Sequence, residues 1–322
     1  MRKMFPACLA ALAALLVAGS VQAQTTLRLA ENQPEDNPIT IAMRKFAELV
    51  KQKTGGELAV EVYASAQLGQ EPETIEQAQA GIVDFARVNS VVLANVSPSM
   101  GVFTLPYIFK DNEHKYRVLD GDIGKDVLAD LAKVGLVGFD FMDAGTRNFY
   151  TVKAKPVSGI EDLRGLKIRV QPAPISTRMV QLLGATPTPM NYGEVYSALQ
   201  TGVVDGAEND YVSYLTSAHY EVAPNVIEDG HLSPPAVLVM NKARFDALKP
   251  EHQKAVRDAA AETAVFERAA MQQANREAKE KVIAAGVTVR TTPSAPFQMA
   301  VEPIYRDFPA LSGLIDRIKA VN

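Results

Sequence analysis

From Glu251 to Ala285 the chain runs through 35 residues with neither glycine nor proline. The stretch is rich in Ala, Glu, Lys, Arg and Gln, with Pro250 at its start and Gly286 just past its end. Proline suits the first helical turn and glycine the residue beyond the last, so both ends of a helix are marked. At a rise of 1.5 Å per residue such a helix reaches about 50 Å, longer than one small domain. Either one helix lies across two domains as a brace, or two helices meet at a break that the residues do not show.

The rest of the chain alternates strand and helix patterns. TLRLA (26–30) reads as a strand. Ile39, Met43, Phe46 and Val50 follow at spacings of 4, 3 and 4, the stripe of an amphipathic helix ending at Gly55-Gly56. LAVEVYA (58–64) is a second strand, 71–80 a helix, VDFARV (83–88) a third strand, 126–133 a helix and LVGFDFM (136–142) a fourth strand. The pattern then restarts with GLKIRV (165–170), helices over 176–183 and 194–200, VVDGAE (203–208) and AVLVMN (236–241). Such alternation predicts α/β layers with largely parallel sheets. A first domain over 24–144 plus about 233–272 is expected, and a second over 145–232 plus about 273–322. No Gly-, Ser- or Pro-rich linker separates them. Strand crossovers should therefore join the two, with AVLVMN returning to the first sheet.

The first residues set the compartment. Arg2 and Lys3 precede an apolar stretch from Ala7 to Ala18, and Val21-Gln22-Ala23 has a small-x-small cleavage pattern. This is a secretory signal peptide over 1–23, and a periplasmic location is expected. A retained anchor is the alternative, but the run is shorter than the about 20 residues a bilayer crossing needs. The single cysteine, Cys8, lies in this segment. The exported chain would then hold no disulfide, thiol nucleophile or cysteine metal site. Cleavage leaves 299 residues with 31 basic and 37 acidic side chains. That balance argues against nucleic acid, which is bound by clustered basic residues. It leaves room for an anionic ligand, because a pocket needs only one or two local arginines. No other apolar run is long enough for a span, so no stable membrane insertion is expected.

Motifs for catalysis are not found. There is no G-x-S-x-G, no phosphate loop, no G-x-G-x-x-G and no H-E-x-x-H. His114, His219, His231 and His252 are scattered at no ligand-like spacing; His231, near Ser233 and Pro234, could touch a ligand or simply pack. Asp205, Glu208 and Asp210 could gather oxygens around calcium, yet they lack the full loop pattern, and hydrogen bonding at a strand end is the expectation. GDIGKD (121–126) reads as the start of a helix. No metal and no cofactor are expected. The informative residues are arginines after short strands. Arg147 follows LVGFDFMDAGT, and Arg169 ends GLKIRV just before Pro172 and Pro174. Open α/β sheets bind ligands at strand C-termini, and a guanidinium pairs with a carboxylate through two parallel hydrogen bonds. Position alone equally allows either arginine to pair with an Asp or Glu of the protein.

Several stretches resemble the extracytoplasmic solute-binding proteins of TRAP transporters, the DctP-like family. They are SAQLG (65–69), VFTLPYIF (102–109), GTRNFYT (145–151), DLRGLKIRVQ (162–171), GATPTPMNYGEVYSALQTGVVDGAEN (184–209) and HYEVAPNV (219–226). They fall in order over nearly the whole chain, and 184–209 is the most specific. The resemblance implies a two-domain periplasmic binding protein-like α/β fold with a central cleft and a long helix spanning both domains. It also implies a small organic acid as ligand and the membrane subunits of a transporter as partner. The family's carboxylate-pairing arginine matches Arg169, and its second basic contact matches Arg147. Asn209 matches the asparagine after the D-G-x-E run, and Tyr192 the residue after the P-T-P-M turn. From the first domain the matching contacts are Asn32, Glu71 and Asn89. In sialic-acid-binding members the position of Asn89 is acidic and that of Val92 is arginine, which speaks against sialic acid here.

Asn32, Glu71, Asn89, Gln171, Tyr192 and Asn209 would surround the clamp with donors and acceptors. An apolar acid would leave them unpaired, at about 1–3 kcal/mol each. A hydroxylated sugar acid such as a uronate or aldonate is therefore expected, ahead of a C4-dicarboxylate held also by Arg147, and of keto acids. An exported enzyme acting on an organic acid and a periplasmic sensor are the readings from other classes; a transport receptor without catalytic residues is the expectation.

Overall fold

The computed structural model describes residues 24–321. The signal peptide expected over 1–23, with Cys8, lies outside these residues. In chain order the strands are β1 (Thr25–Ala30), β2 (Leu58–Tyr63), β3 (Phe85–Asn89), β4 (Leu136–Asp143), β5 (Arg147–Thr151), β6 (Lys167–Val170), β7 (Thr186–Pro189), β8 (Gly206–Asn209), β9 (Asn225–Leu232), β10 (Pro235–Asn241) and β11 (Thr288–Thr291). They form two sheets, ordered β2-β1-β3-β10-β4 and β11-β9-β5-β8-β6-β7.

The first sheet shows how local chemistry places its elements. The Asn37 side chain accepts the Ile39 N–H at 3.0 Å and Pro38 fills the first turn, starting the helix Pro38–Lys53. Its buried face holds Ile39, Met43, Phe46 and Val50, the stripe read from spacing. Phe46 meets Phe85 of β3 edge-on at 5.4 Å. Burying side chains of this size contributes about 1.5–3 kcal/mol each. β10, PAVLVMN, is buried at every position. It returns to the first sheet as expected, between β3 and β4 and antiparallel to both.

The chain passes directly from strand to strand between the sheets twice, from β4 to β5 and from β9 to β10, and a third time, from β10 to β11, through a long helix. The two direct crossings lie side by side, since Pro235 pairs with Asp143 and Arg147 with Leu232. These reversals correct the expectation of largely parallel sheets: five of the nine strand pairings are parallel and four antiparallel. A strand that passes directly from one sheet to the other, with no crossover helix, can meet its neighbours head to tail.

The segment at 250–284 is one helix, Pro250–Ala284. Val256, Ala259, Ala260 and Ala264 enter the core of the first sheet, and Met271, Ala278 and Val282 that of the second. It is the brace across both. The chain's last part does not stay with the second sheet, as the expected assignment of 273–322 had it. Phe297 and Val301 sit with β9, but the helix Ser312–Lys319 runs back to the first unit. There the Ile318 carbonyl lies 3.1 Å from His114 Nε2, and Arg317 pairs with Asp126 at 2.8 Å. This tail is too evenly mixed in polarity for sequence to say which surface it covers.

Candidate functional site

The two sheets face each other across a cavity of about 580 Å³, open mouth included. All eight residues named from the sequence line it: Asn32, Glu71 and Asn89 from the first unit, and Arg147, Arg169, Gln171, Tyr192 and Asn209 from the second. Across its rim Asn95 Nδ2 donates to the Pro172 carbonyl at 2.8 Å, and the Gly193 N–H to Gln70 Oε1 at 3.4 Å. The lips of the cleft therefore touch.

Arg169 ends the short strand β6, in which Ile168 and Val170 are fully buried on one side. On the other side the guanidinium is itself only 1% exposed. Its Nε and Nη2 both donate to one acceptor, the Met190 carbonyl, at 3.1 and 2.8 Å. No carboxylate among the described residues forms an ion pair with it. Burial holds its pKa below the usual arginine value, with Glu208 opposing and Arg147 adding to the shift. Arginine remains charged at any physiological pH, so the floor of the cleft carries a buried cation with no carboxylate partner among the described residues.

Arg147 takes the opposite course. Its Nε pairs with Glu208, its Nη2 donates to the Glu208 carbonyl and Oε1 at 2.7 and 2.9 Å, and its Nη1 to Asn209 Oδ1 at 2.6 Å. Asn209 Oδ1 also accepts the Asp210 N–H at 3.0 Å, leaving its amide NH2 free of both bonds. Behind this pair His231 is fully buried, 2.7 Å from Asp229 through Nδ1 and 3.5 Å from Glu208 through Nε2. Its ring stacks on Phe149 at 4.2 Å. Burial favours neutral imidazole, but Asp229 and Glu208 outweigh it and lift the pKa to about 9. Glu208, despite burial, is held down at about 2 by Arg147 and His231. His231 thus props the site from behind and is absent from the cavity wall.

The first unit presents a matching network. Arg87, inside β3, bonds Glu31 through Nε at 2.7 Å and through Nη2, with Nη2 also reaching Asn32 Oδ1 at 2.5 Å. Its Nη1 donates to Glu71 Oε1 at 3.1 Å, which also accepts the Asn89 N–H at 3.0 Å. Asn89 Oδ1 accepts the Val91 N–H at 3.0 Å. These bonds engage the oxygens of Asn32 and Asn89 with the protein and leave their amide donors for the cavity. Burial raises the pKa of Glu71, with Arg87 opposing. Tyr192 is set by Ser217 Oγ at 2.5 Å and the Ser213 carbonyl at 3.3 Å, and burial lifts its pKa to about 12. Gln171, 9% exposed, makes no side-chain hydrogen bond to another described residue.

Arg87, Glu31, Glu208 and Asp229 lie outside the eight contacts expected from the sequence, where Glu208 is read only as a possible calcium ligand or a hydrogen-bonding residue at a strand end. The placement that marks Arg169 in the sequence, an arginine near the end of a short strand, is shared by Arg87 in VDFARV. Asp205, Glu208 and Asp210 serve three separate tasks. Asp205 accepts the Lys167 N–H at 2.8 Å, Glu208 pairs with Arg147, and Asp210 caps the helix Tyr211–Thr216 through the Ser213 N–H at 3.0 Å. No group of three or more metal-ligating side chains occurs among the described residues.

Two α/β units around a closed cleft, with an uncompensated arginine on its floor, make a receptor for a small anion. The chain belongs to the bacterial extracellular solute-binding proteins of family 7, the DctP family, whose model matches residues 29–310. It is an extracytoplasmic solute-binding protein of the TRAP type, as the residues at 184–209 implied. A TRAP periplasmic solute-binding protein of Xanthobacter autotrophicus, solved with bound β-D-galacturonate, is 43% identical; the match covers 92% of this chain and 100% of that one, with a TM-score of 0.89. One from Roseobacter denitrificans, with bound β-D-glucuronate, is 38% identical over 92% of this chain and 100% of its own, with a TM-score of 0.90. The 2,3-diketo-L-gulonate-binding periplasmic protein of Escherichia coli is 31% identical over 86% of each chain.

Proposed function

We propose that this protein is the periplasmic receptor of a TRAP transporter and that its ligand is a hexuronate, such as D-galacturonate or D-glucuronate. The observation that carries the reading is Arg169, a buried guanidinium with one carbonyl as its protein partner. A ligand carboxylate would supply the missing charge. Arg147 and Arg87 are already committed to Glu208 and to Glu31 with Glu71. Among the described residues the cleft therefore has one free cation for one carboxylate, which disfavours a C4-dicarboxylate. The amides of Asn32, Asn89, Asn209 and Gln171 and the carboxylate of Glu71 match ring hydroxyls, and a branched keto acid would strand them. Val92, in the cavity wall, brings no second arginine for a larger acid such as sialic acid. The bound uronates of the similar Xanthobacter and Roseobacter proteins support the same class.

In this reading Asn32, Glu71, Asn89, Arg147, Arg169, Gln171, Tyr192 and Asn209 hold the ligand, the protein returns it unchanged, and the closed form docks on membrane subunits. The two units, split as the sheets are, move as the domains of a hinge. Calorimetric titration with galacturonate, glucuronate, gluconate, succinate and a branched keto acid tests it. Tight binding of a uronate, recovered intact, is expected; binding of succinate alone would overturn the assignment, and turnover of the acid would make the protein an enzyme.

A further inference from the structure

The ligand cleft has a second chamber beside it. The second, about 610 Å³ with its open mouth, lies outside the rim. It shares Asn32, Gln70 and Tyr192 with the inner cavity and adds Ser65, Tyr196 and His219. Gln70 stands at the partition. Its Oε1 accepts the Gly193 N–H from the opposite unit. Its Nε2 lies 2.6 Å from the point where a side chain at 193 would begin, so any side chain there would push the Gln70 amide aside. The outer chamber is lined by hydroxyls, amides and tyrosine rings, and burial holds His219 neutral, with a pKa of about 3. No lysine or arginine lines it among the described residues. It suits a neutral sugar ring and not a second carboxylate.

We propose that Gln70 restricts the ligand to a single sugar ring by closing the passage from the cleft to this outer chamber. The inference rests on the uronate reading above. A uronate carrying a second ring would have to occupy the space of the Gln70–Gly193 contact and would hold the lips apart. Exclusion is then built by steric conflict in the closed state, not by any missing contact in the cleft. With Gln70 cut back, the chambers join, and a uronate linked to a neutral pyranose fits with its acid on Arg169 and its second ring outside.

Titration of the wild type and Gln70→Ala with galacturonate, glucuronate and two uronate disaccharides tests this, one disaccharide bearing a neutral pyranose at O1 and the other at O4. The readout is the ratio of disaccharide to monosaccharide affinity in each protein. In the wild type both disaccharides should bind about a hundredfold or more weaker than the free uronate. In Gln70→Ala the gap should shrink to tenfold or less for at least one linkage. Gly193→Ala, whose added carbon displaces Gln70, should narrow the gap in the same direction. A wild type that binds either disaccharide as tightly as galacturonate overturns the inference, as does a gap unchanged in both variants. In those cases uronate binding itself still stands. Failure of galacturonate and glucuronate to bind the wild type removes the uronate reading and this inference with it.

Discussion

Arg169 and Arg147 occupy one sheet, two strands apart, and their chemistry divides by partner. Arg147 has an acid and Arg169 does not. A buried cation without its anion costs stability, and a buried pair that loses one member costs about 3–5 kcal/mol. Arg169→Met should therefore abolish uronate binding, a loss of more than about 2 kcal/mol, while raising the melting temperature of the ligand-free protein. Arg147→Met should lower it, by leaving Glu208 short of its main partner. Calorimetry and thermal melting of both variants distinguish the roles; a lower melting temperature for Arg169→Met would show that the site is balanced in some other way. The pair also sets a pH window. Glu208 falls from an ordinary 4.5 to about 2, so its contribution is full above pH 4.5 and is lost as pH falls through 2. His231 rises from 6.5 to about 9, so its contribution is full below pH 6.5 and is lost as pH rises through 9. Each shift is worth on the order of 3 kcal/mol. Stability should be greatest between these limits, and His231→Gln should flatten the alkaline limb of a melting-temperature profile while only weakening the acid limb, since Arg147 still holds Glu208 down.

Among the elements, the helix Pro250–Ala284 has a buried acid where it passes the crossings between sheets. Glu267 is fully buried; its Oε2 accepts the Asp143 N–H at 2.8 Å, and its Oε1 has no partner among the described residues. Asp143, the last residue of β4, accepts from Lys115 Nζ at 2.9 Å and Tyr116 OH at 2.6 Å. Lys115 also reaches Ser233 Oγ of the other crossing at 2.9 Å. One cluster thus ties the helix to both crossings. Burial and then the Asp143 charge push Glu267 well above the ordinary carboxyl range. Because this acid is raised on folding, its contribution is fully present below about pH 4.5 and declines as pH rises toward its folded value. Glu267→Gln removes that decline. Its stability relative to wild type should grow from pH 4 to pH 8 in urea unfolding, and a constant difference across that range would contradict the assignment. Composition and the absence of glycine and proline marked both ends of this helix and left open a break within it, which the structure does not have. The acid inside it looked like one more solvated charge, because its burial depends on Asp143, which lies 124 residues away.

At the scale of the molecule, the lips meet through Gln70–Gly193 and Asn95–Pro172, while the units are joined by two adjacent strand crossings, the long helix and the tail that returns to the first unit. Such a junction permits hinge bending about a narrow line. Scattering from the ligand-free protein should show a larger radius of gyration than the galacturonate complex, and the complex should match the closed geometry. An unchanged radius with binding confirmed would mean a preformed pocket. The sequence alone determined the α/β alternation, the ends of the long helical run, the return of AVLVMN to the first sheet and the family, because periodicity, punctuation and local motifs are short-range properties written in neighbouring residues. It also named eight residues that line one cavity. Only the tertiary structure decided which arginine is free, that His231 stands behind the cleft and not in it, and that Gln70 meets Gly193. Each of these depends on a partner from a distant segment, and a side chain's charge state and availability are set by what the fold packs against it.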